Sequence, residues 1–170
     1  YQQGQDTFQL TDPEKKAQSQ IDRAQELNKA LVGESAFRSE QENVQGLQGL
    51  TQAQRDLQAR VNILRNEAAA IPLQLQQEAT GKGITTQILG RQENDRLRTN
   101  AIASLAASSQ LEATRGNITT ALDLVERAVA TKFGPIKEEQ KAIMDNLRLI
   151  ISSPEYDVAD KKRAQEQLNI

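Results

Sequence analysis

The chain has no histidine, no cysteine and no tryptophan among its 170 residues. Without cysteine there are no disulfides, and without cysteine or histidine almost every transition-metal site is excluded. Without histidine, no side chain has an ordinary pKa between about 5 and 8. The residue types that most often carry catalysis are therefore missing. Aromatic residues make up only 3% of the chain, against 37% hydrophobic residues in all. Large rings fill thick cores, whereas the narrow seam between two or three helices is built from Leu, Ile, Val and Ala.

Clustered charge of one sign is also lacking. There are 21 Lys and Arg against 23 Asp and Glu, a formal net charge of −2. The cations are scattered and form no basic stripe, so nucleic acid is not expected as a partner. No apolar run approaches the roughly 20 residues that a membrane helix needs. No segment reads as a secretory leader. A first residue of Tyr1 is expected of a processed product or of a piece of a longer chain.

What is present is helical periodicity set in Gln, Glu, Lys and Arg. Residues 1–11 are Gln-rich and aperiodic, and are expected to form an arm that is flexible or bound to a partner. Thr11-Asp12-Pro13-Glu14 then has the spacing of a capping box, with Pro in the first turn. Ala17, Ile21, Ala24, Leu27 and Leu31 follow on one face, and Gly33 is expected to end or bend this helix.

The longest predicted helix runs from about Ser35 to Ile71, with Val44, Leu47 and Leu50 leading into Leu57, Val61, Leu64, Ala68 and Ile71. The last five alternate spacings of four and three, the mark of a seam between paired helices. Gly46 and Gly49 weaken the helix locally, and Pro72 is expected to kink or stop it, with a short continuation through Leu73 and Leu75. Thr80-Gly81-Lys82-Gly83 reads as a loop.

Three helices are expected next. One spans about Gln87 to Ser108, with Leu97, Ala101, Leu105 and Ala106 inward and an inner face of small side chains: Ala101, Ala103, Ala106, Ala107 and Ser108. Another spans Gln110 to Phe133, with Ile118, Leu122, Val125 and Val129 on one face, until Gly134-Pro135 breaks it. The third spans Ile136 to Ile151, with Ile143, Leu147 and Ile150. Ser153-Pro154-Glu155 reads as the start of a short last helix ending at Leu168. No segment alternates as a strand, and no repeat of fixed period is present.

The fold class is thus all-α: an elongated helical bundle or coiled-coil hairpins with Gly- and Pro-marked joints. The expected division is an arm at 1–11, a long coiled-coil segment at 12–75, a loop at 76–91 and a helical bundle segment at 92–170. The expected interface pairs Leu57, Val61, Leu64, Ala68 and Ile71 with Ile118, Leu122, Val125 and Val129.

Candidate chemistry is sparse. Around Gly81-Lys82, a phosphate-binding loop would need Gly where Gln76 stands and Ser or Thr where Gly83 stands, with a strand before it. The flexible-turn reading is preferred. Glu138 with Glu139, or Asp157 with Asp160, could serve as acid and base only across a cleft, and charged helix exteriors are far commoner. No linear calcium-loop pattern occurs. Asn117-Ile118-Thr119 is a glycosylation sequon inside a predicted helix and is read as chance. Lys161-Lys162-Arg163 suits the C-terminal half of a helix. The abundant Gln is a good helix former and a neutral surface residue. No catalytic, cofactor-binding or metal-binding residue is expected, and the chain is not expected to be an enzyme.

Ile71-Pro72-Leu73-Gln74-Leu75-Gln76, Gly81-Lys82-Gly83, Leu97-Arg98-Thr99-Asn100-Ala101-Ile102, Phe133-Gly134-Pro135-Ile136, Ser153-Pro154-Glu155 and Asp160-Lys161-Lys162-Arg163-Ala164 carry a resemblance. Together they resemble segments of helical structural proteins associated with the virions and tails of tailed bacteriophages. The resemblance covers about the last hundred residues and rests on turn and cap signals. It implies a virion or tail component, such as part of a long tape-measure-like chain, located in the virion after assembly in the host cytoplasm. It transfers no site residues. The partners expected are copies of the chain or other structural proteins of the same assembly. The alternative expectation is a cellular adaptor or secretion-associated module that binds a partner helix in a groove.

Overall fold

The computed structural model describes residues 11–169, so the arm expected at the N-terminus lies, apart from Thr11, outside the described residues. Every regular element among them is a helix: α1 (Asp12–Val32), α2 (Glu34–Val44), α3 (Leu47–Ala79), α4 (Thr86–Ser152) and α5 (Val158–Leu168). The fold is all-α. No helix among them is long and apolar enough to cross a membrane.

The chain divides into two compact units, one holding residues 11–40 and 126–169, the other Gln41–Val125. In the first, Ala17, Ile21, Ala24 and Leu27 of α1 meet Ile143, Leu147 and Ile150 of α4 and Ala164 of α5. Ile136, Met144, Ile151, Tyr156 and Leu168 close this core at its margins. The sequence periodicity explains it: the apolar stripe of α1 recurs every three or four residues, so one face of the helix is buried and the other stays polar. At the start of α1, the Glu14 carboxylate accepts hydrogen bonds from the Thr11 backbone N–H at 2.6 Å and hydroxyl at 2.8 Å. Those bonds satisfy a donor that the helix itself leaves open.

In the second unit, the chain reverses at residues 80–85, between α3 and α4. Gly81 (φ 83°) and Gly83 (φ 64°) take the left-handed backbone that this reversal needs. Residues further from the turn on one helix then meet residues further from it on the other. Arg96 meets Glu78, Asn100 meets Leu64 and Arg115 meets Gln58. As one number rises the other falls, so α3 and the first half of α4 run antiparallel. Val61, Ala107 and Leu111 form the buried centre, with Leu57 and Leu64 packed against it.

Four boundaries differ from the sequence expectation. The helix expected from Ser35 to Ile71 is divided at Gly46, whose φ of 64° lies outside the helical region. Its N–H closes α2 on the Asn43 carbonyl at 3.0 Å. Pro72, in contrast, lies inside α3. Its ring costs one backbone hydrogen bond, but Ile71 and Leu75 on either side are both buried, and packing of an apolar face outweighs a local break.

The three helices expected between Gln87 and Ile151 are one, α4, which runs through Gly134-Pro135. Phe133 is buried against Phe37 in an edge-to-face contact with ring centroids 5.7 Å apart, and Lys137 pairs with Glu34 at 2.8 Å. These contacts hold the helix on both sides of the proline. Finally, Ser153-Pro154-Glu155 is the turn that leaves α4, not the start of α5. Asp157 caps α5 instead, its carboxylate accepting from the Asp160 N–H at 2.7 Å.

Candidate helix-helix interface

The inward residues of α4 in the second unit repeat at alternating spacings of three and four. Leu97, Asn100, Ser104, Thr114 and Ile118 are half-buried, and Ala107, Leu111, Ala121 and Val125 are buried. That is the register of a paired-helix seam. Two polar side chains sit in it. Asn100 Nδ2 donates to the Leu64 carbonyl at 2.9 Å, and the Ser104 hydroxyl donates to Asn100 Oδ1 at 3.3 Å. A polar residue at a seam position fixes alignment, because sliding by one turn would leave its amide unsatisfied.

The sequence-predicted interface residues fall in different places. Leu57, Val61 and Leu64 come together, but with Ala107 and Leu111 of the same chain, not with the expected 118–129 segment. The turn at 80–85 sets that pairing by distance along the chain. Ile71 is buried and Ala68 half-buried on the same face of α3. Ile118 is half-buried, while Val125 and Val129 are buried in different units. Leu122 is 45% exposed, and its place is taken by Ala121. Ala101, Leu105 and Ala106, expected to face inward, are exposed. On α4 the large residues Leu105 and Leu122 lie off the buried strip, whereas Ile118 and Val125 lie on it and Val129 is buried. The true strip was signalled by the unbroken three-four spacing from Leu97 to Val125, which admits Asn, Ser and Thr.

The candidate chemistry resolves into helix-end and surface roles. Glu139 does not face a cleft with Glu138. Its two carboxylate oxygens accept from Arg23 Nε at 2.6 Å and Nη2 at 2.9 Å. Glu78 is paired with Arg96, and Glu126 with Arg38. A cleft of about 360 Å³ in the first unit is lined by residues including Lys16, Gln20, Asn146, Ser153, Glu155 and Tyr156, and the Ser153 hydroxyl in it accepts from the Glu155 N–H at 3.3 Å. Burial, helped by the nearby Asp157 and Glu14 charges, pushes the Asp160 carboxyl above its ordinary range.

The three Arg-paired carboxylates couple folding weakly to pH. Hydrogen bonds from Arg23, Arg38 and Arg96 hold Glu139, Glu126 and Glu78 below the usual carboxylate range. A carboxylate lowered in the folded state stabilises above its unfolded pKa of about 4.3 and loses that contribution as pH falls through the folded value. All three are at the surface, so the effect is small and screened by salt. Glu139→Gln is therefore expected to melt slightly below the parent at pH 7, with the gap closing as pH falls through and below the usual carboxylate range. A gap that widens on acidification would contradict this assignment.

No family model, curated protein or solved structure matches the chain.

Proposed function

We propose that the chain is a structural, assembly-forming component of a large particle such as a phage virion or tail, with no catalytic role. In this reading the α3/α4 pair is a coiled-coil hairpin that docks against copies of the chain or other structural proteins of the same assembly.

The observation that carries the reading is the apolar surface left on the outer faces of α3 and α4. Ile102 is 62% exposed and Leu105 74% exposed, two positions beyond Asn100 and one beyond Ser104 of the half-buried strip. Ile88 lies two heptads before Ile102, at the same outward heptad position, and is also exposed. On α3, Ile63 and Leu73 each stand two positions after a buried seam residue, about 200° around the helix. Single exposed apolar residues are ordinary, but repetition of Ile and Leu on an outward face favours a second helical layer. The phage assignment is supported by the resemblance of the last hundred residues.

Light scattering on a sizing column tests the assembly reading. The parent is expected to run as an oligomer of its 18.8 kDa chain, and Ile102→Ser/Leu105→Ser to shift to lower mass while keeping its helical circular dichroism. A parent that stays monomeric at about 100 µM, some hundredfold above a micromolar dissociation constant, would overturn self-assembly and favour the partner-helix adaptor.

A further inference from the structure

Two helix starts meet in the first unit, where α5 packs on α1. Glu14 comes from the first turn of α1, Asp157 is the cap of α5 and Asp160 lies in the first turn of α5. One carboxylate oxygen of each lies within 4.8 Å of those of the other two. Capping explains part of this cluster. Glu14 Oε2 serves Thr11, and Asp157 Oδ1 serves the Asp160 N–H. Helix starts favour negative charge, so both carboxylates are at home there.

Capping does not explain Asp160. It is only 5% exposed, and its Oδ2 is fully buried with no hydrogen-bond partner. Arg163, whose charge favours the ionised form of Asp160, directs a guanidinium nitrogen to Gln18 Oε1 at 3.4 Å instead. A buried carboxylate without a donor is costly, and two further carboxylates beside it raise the cost.

We propose that Glu14, Asp157 and Asp160 bind one hard divalent cation, with calcium the best fit, clamped between the first turns of α1 and α5. Three carboxylates form an all-oxygen donor set, which suits calcium or magnesium and not the softer transition metals. Oxygens bound to one calcium at about 2.4 Å can be at most about 4.8 Å apart, and this cluster meets that limit. Magnesium draws its ligands closer, to about 2.1 Å, and holds its waters more tightly, so it should bind less well. The capping bonds use one oxygen each of Glu14 and Asp157, which leaves the second oxygen of each carboxylate without a capping role. The caps stay intact while it binds.

The test is melting and calorimetric titration of the full chain at pH 7, first stripped with chelator. Calcium chloride is compared with magnesium chloride, and with sodium chloride at equal ionic strength. The parent is expected to bind one calcium and to melt several degrees higher with it. Asp160→Asn should melt at or above the stripped parent, because an unpaired buried charge is gone, and should lose the calcium response. Glu14→Gln keeps an acceptor for Thr11 and should weaken the response at least tenfold in affinity. No calcium binding by the parent, an equal rise in sodium chloride, or an undiminished response in both variants would each overturn the site.

Discussion

Leu147→Asp should unfold the first unit. Leu147 is fully buried at the centre of the cluster that joins α1, α4 and α5, with Ile143 and Ile150 one turn to either side. Removing the leucine forfeits about 1.5–3 kcal/mol of burial, and a carboxylate in its place adds several kcal/mol more because no donor is near. A domain of this size is stable by only about 5–15 kcal/mol in total, so the substitution consumes much of that margin. Loss of far-ultraviolet helical signal and fast amide exchange in α1 and α5 are the expected readouts. Leu149→Asp is the control. It puts the same chemistry on the same helix two residues on, where the leucine is 65% exposed, and should change stability by no more than about 0.5 kcal/mol. Equal melting of the two variants would mean that the burial pattern of α4 is wrong.

The contrast between Leu147 and Leu149 also shows what the sequence makes legible. Ile143, Leu147 and Ile150 are large, apolar and spaced four and three apart, and Ala17, Ile21, Ala24 and Leu27 match them on α1. Where large residues and helical period agree, burial follows directly, and this core was readable. In the second unit they disagree. Leu105 and Leu122 are large but lie off the seam, while Ala107, Ala121 and Asn100 are small or polar and lie on it. The decision there belongs to the antiparallel partner, which small residues admit closely and Asn100 locks to the Leu64 carbonyl. No local window of sequence contains that partner.

Helix ends follow the same logic. Gly46 and the Gly81–Gly83 turn act locally through positive φ, and both glycine stretches were visible beforehand. Pro72 and Pro135 are also local signals, but contacts from residues such as Ile71, Leu75 and Phe133 override them. The acidic cluster was invisible as a ligand set. Glu14 and Asp160 sit at opposite ends of the described chain, and only the packing of α5 on α1 brings them together.

The second large effect is expected at Leu64, with Arg65 as its neighbour for comparison. Leu64 packs against Val61, Ala107 and Leu111, and its carbonyl accepts the Asn100 amide. An aspartate there removes the leucine's share of burial and sets a carboxylate at the edge of this apolar seam, a cost that half-exposure to water reduces but does not cancel. The seam has little to set against it, since Ala107 contributes only a methyl group and Leu57 and Leu64 are themselves only half-buried. Leu64→Asp should therefore separate α3 from the first half of α4 within one chain, and any assembly that needs the hairpin should fail with it. Arg65 is exposed, about 100° further round the helix, and Arg65→Asp should leave melting within about 0.5 kcal/mol of the parent. Thermal melts and light scattering on both variants distinguish the outcomes. If Leu64→Asp loses oligomeric mass but keeps its melting temperature when monomeric, then Leu64 faces another copy and the seam within the chain is misassigned. If it melts early as a monomer, the hairpin is the unit that any larger assembly must build from.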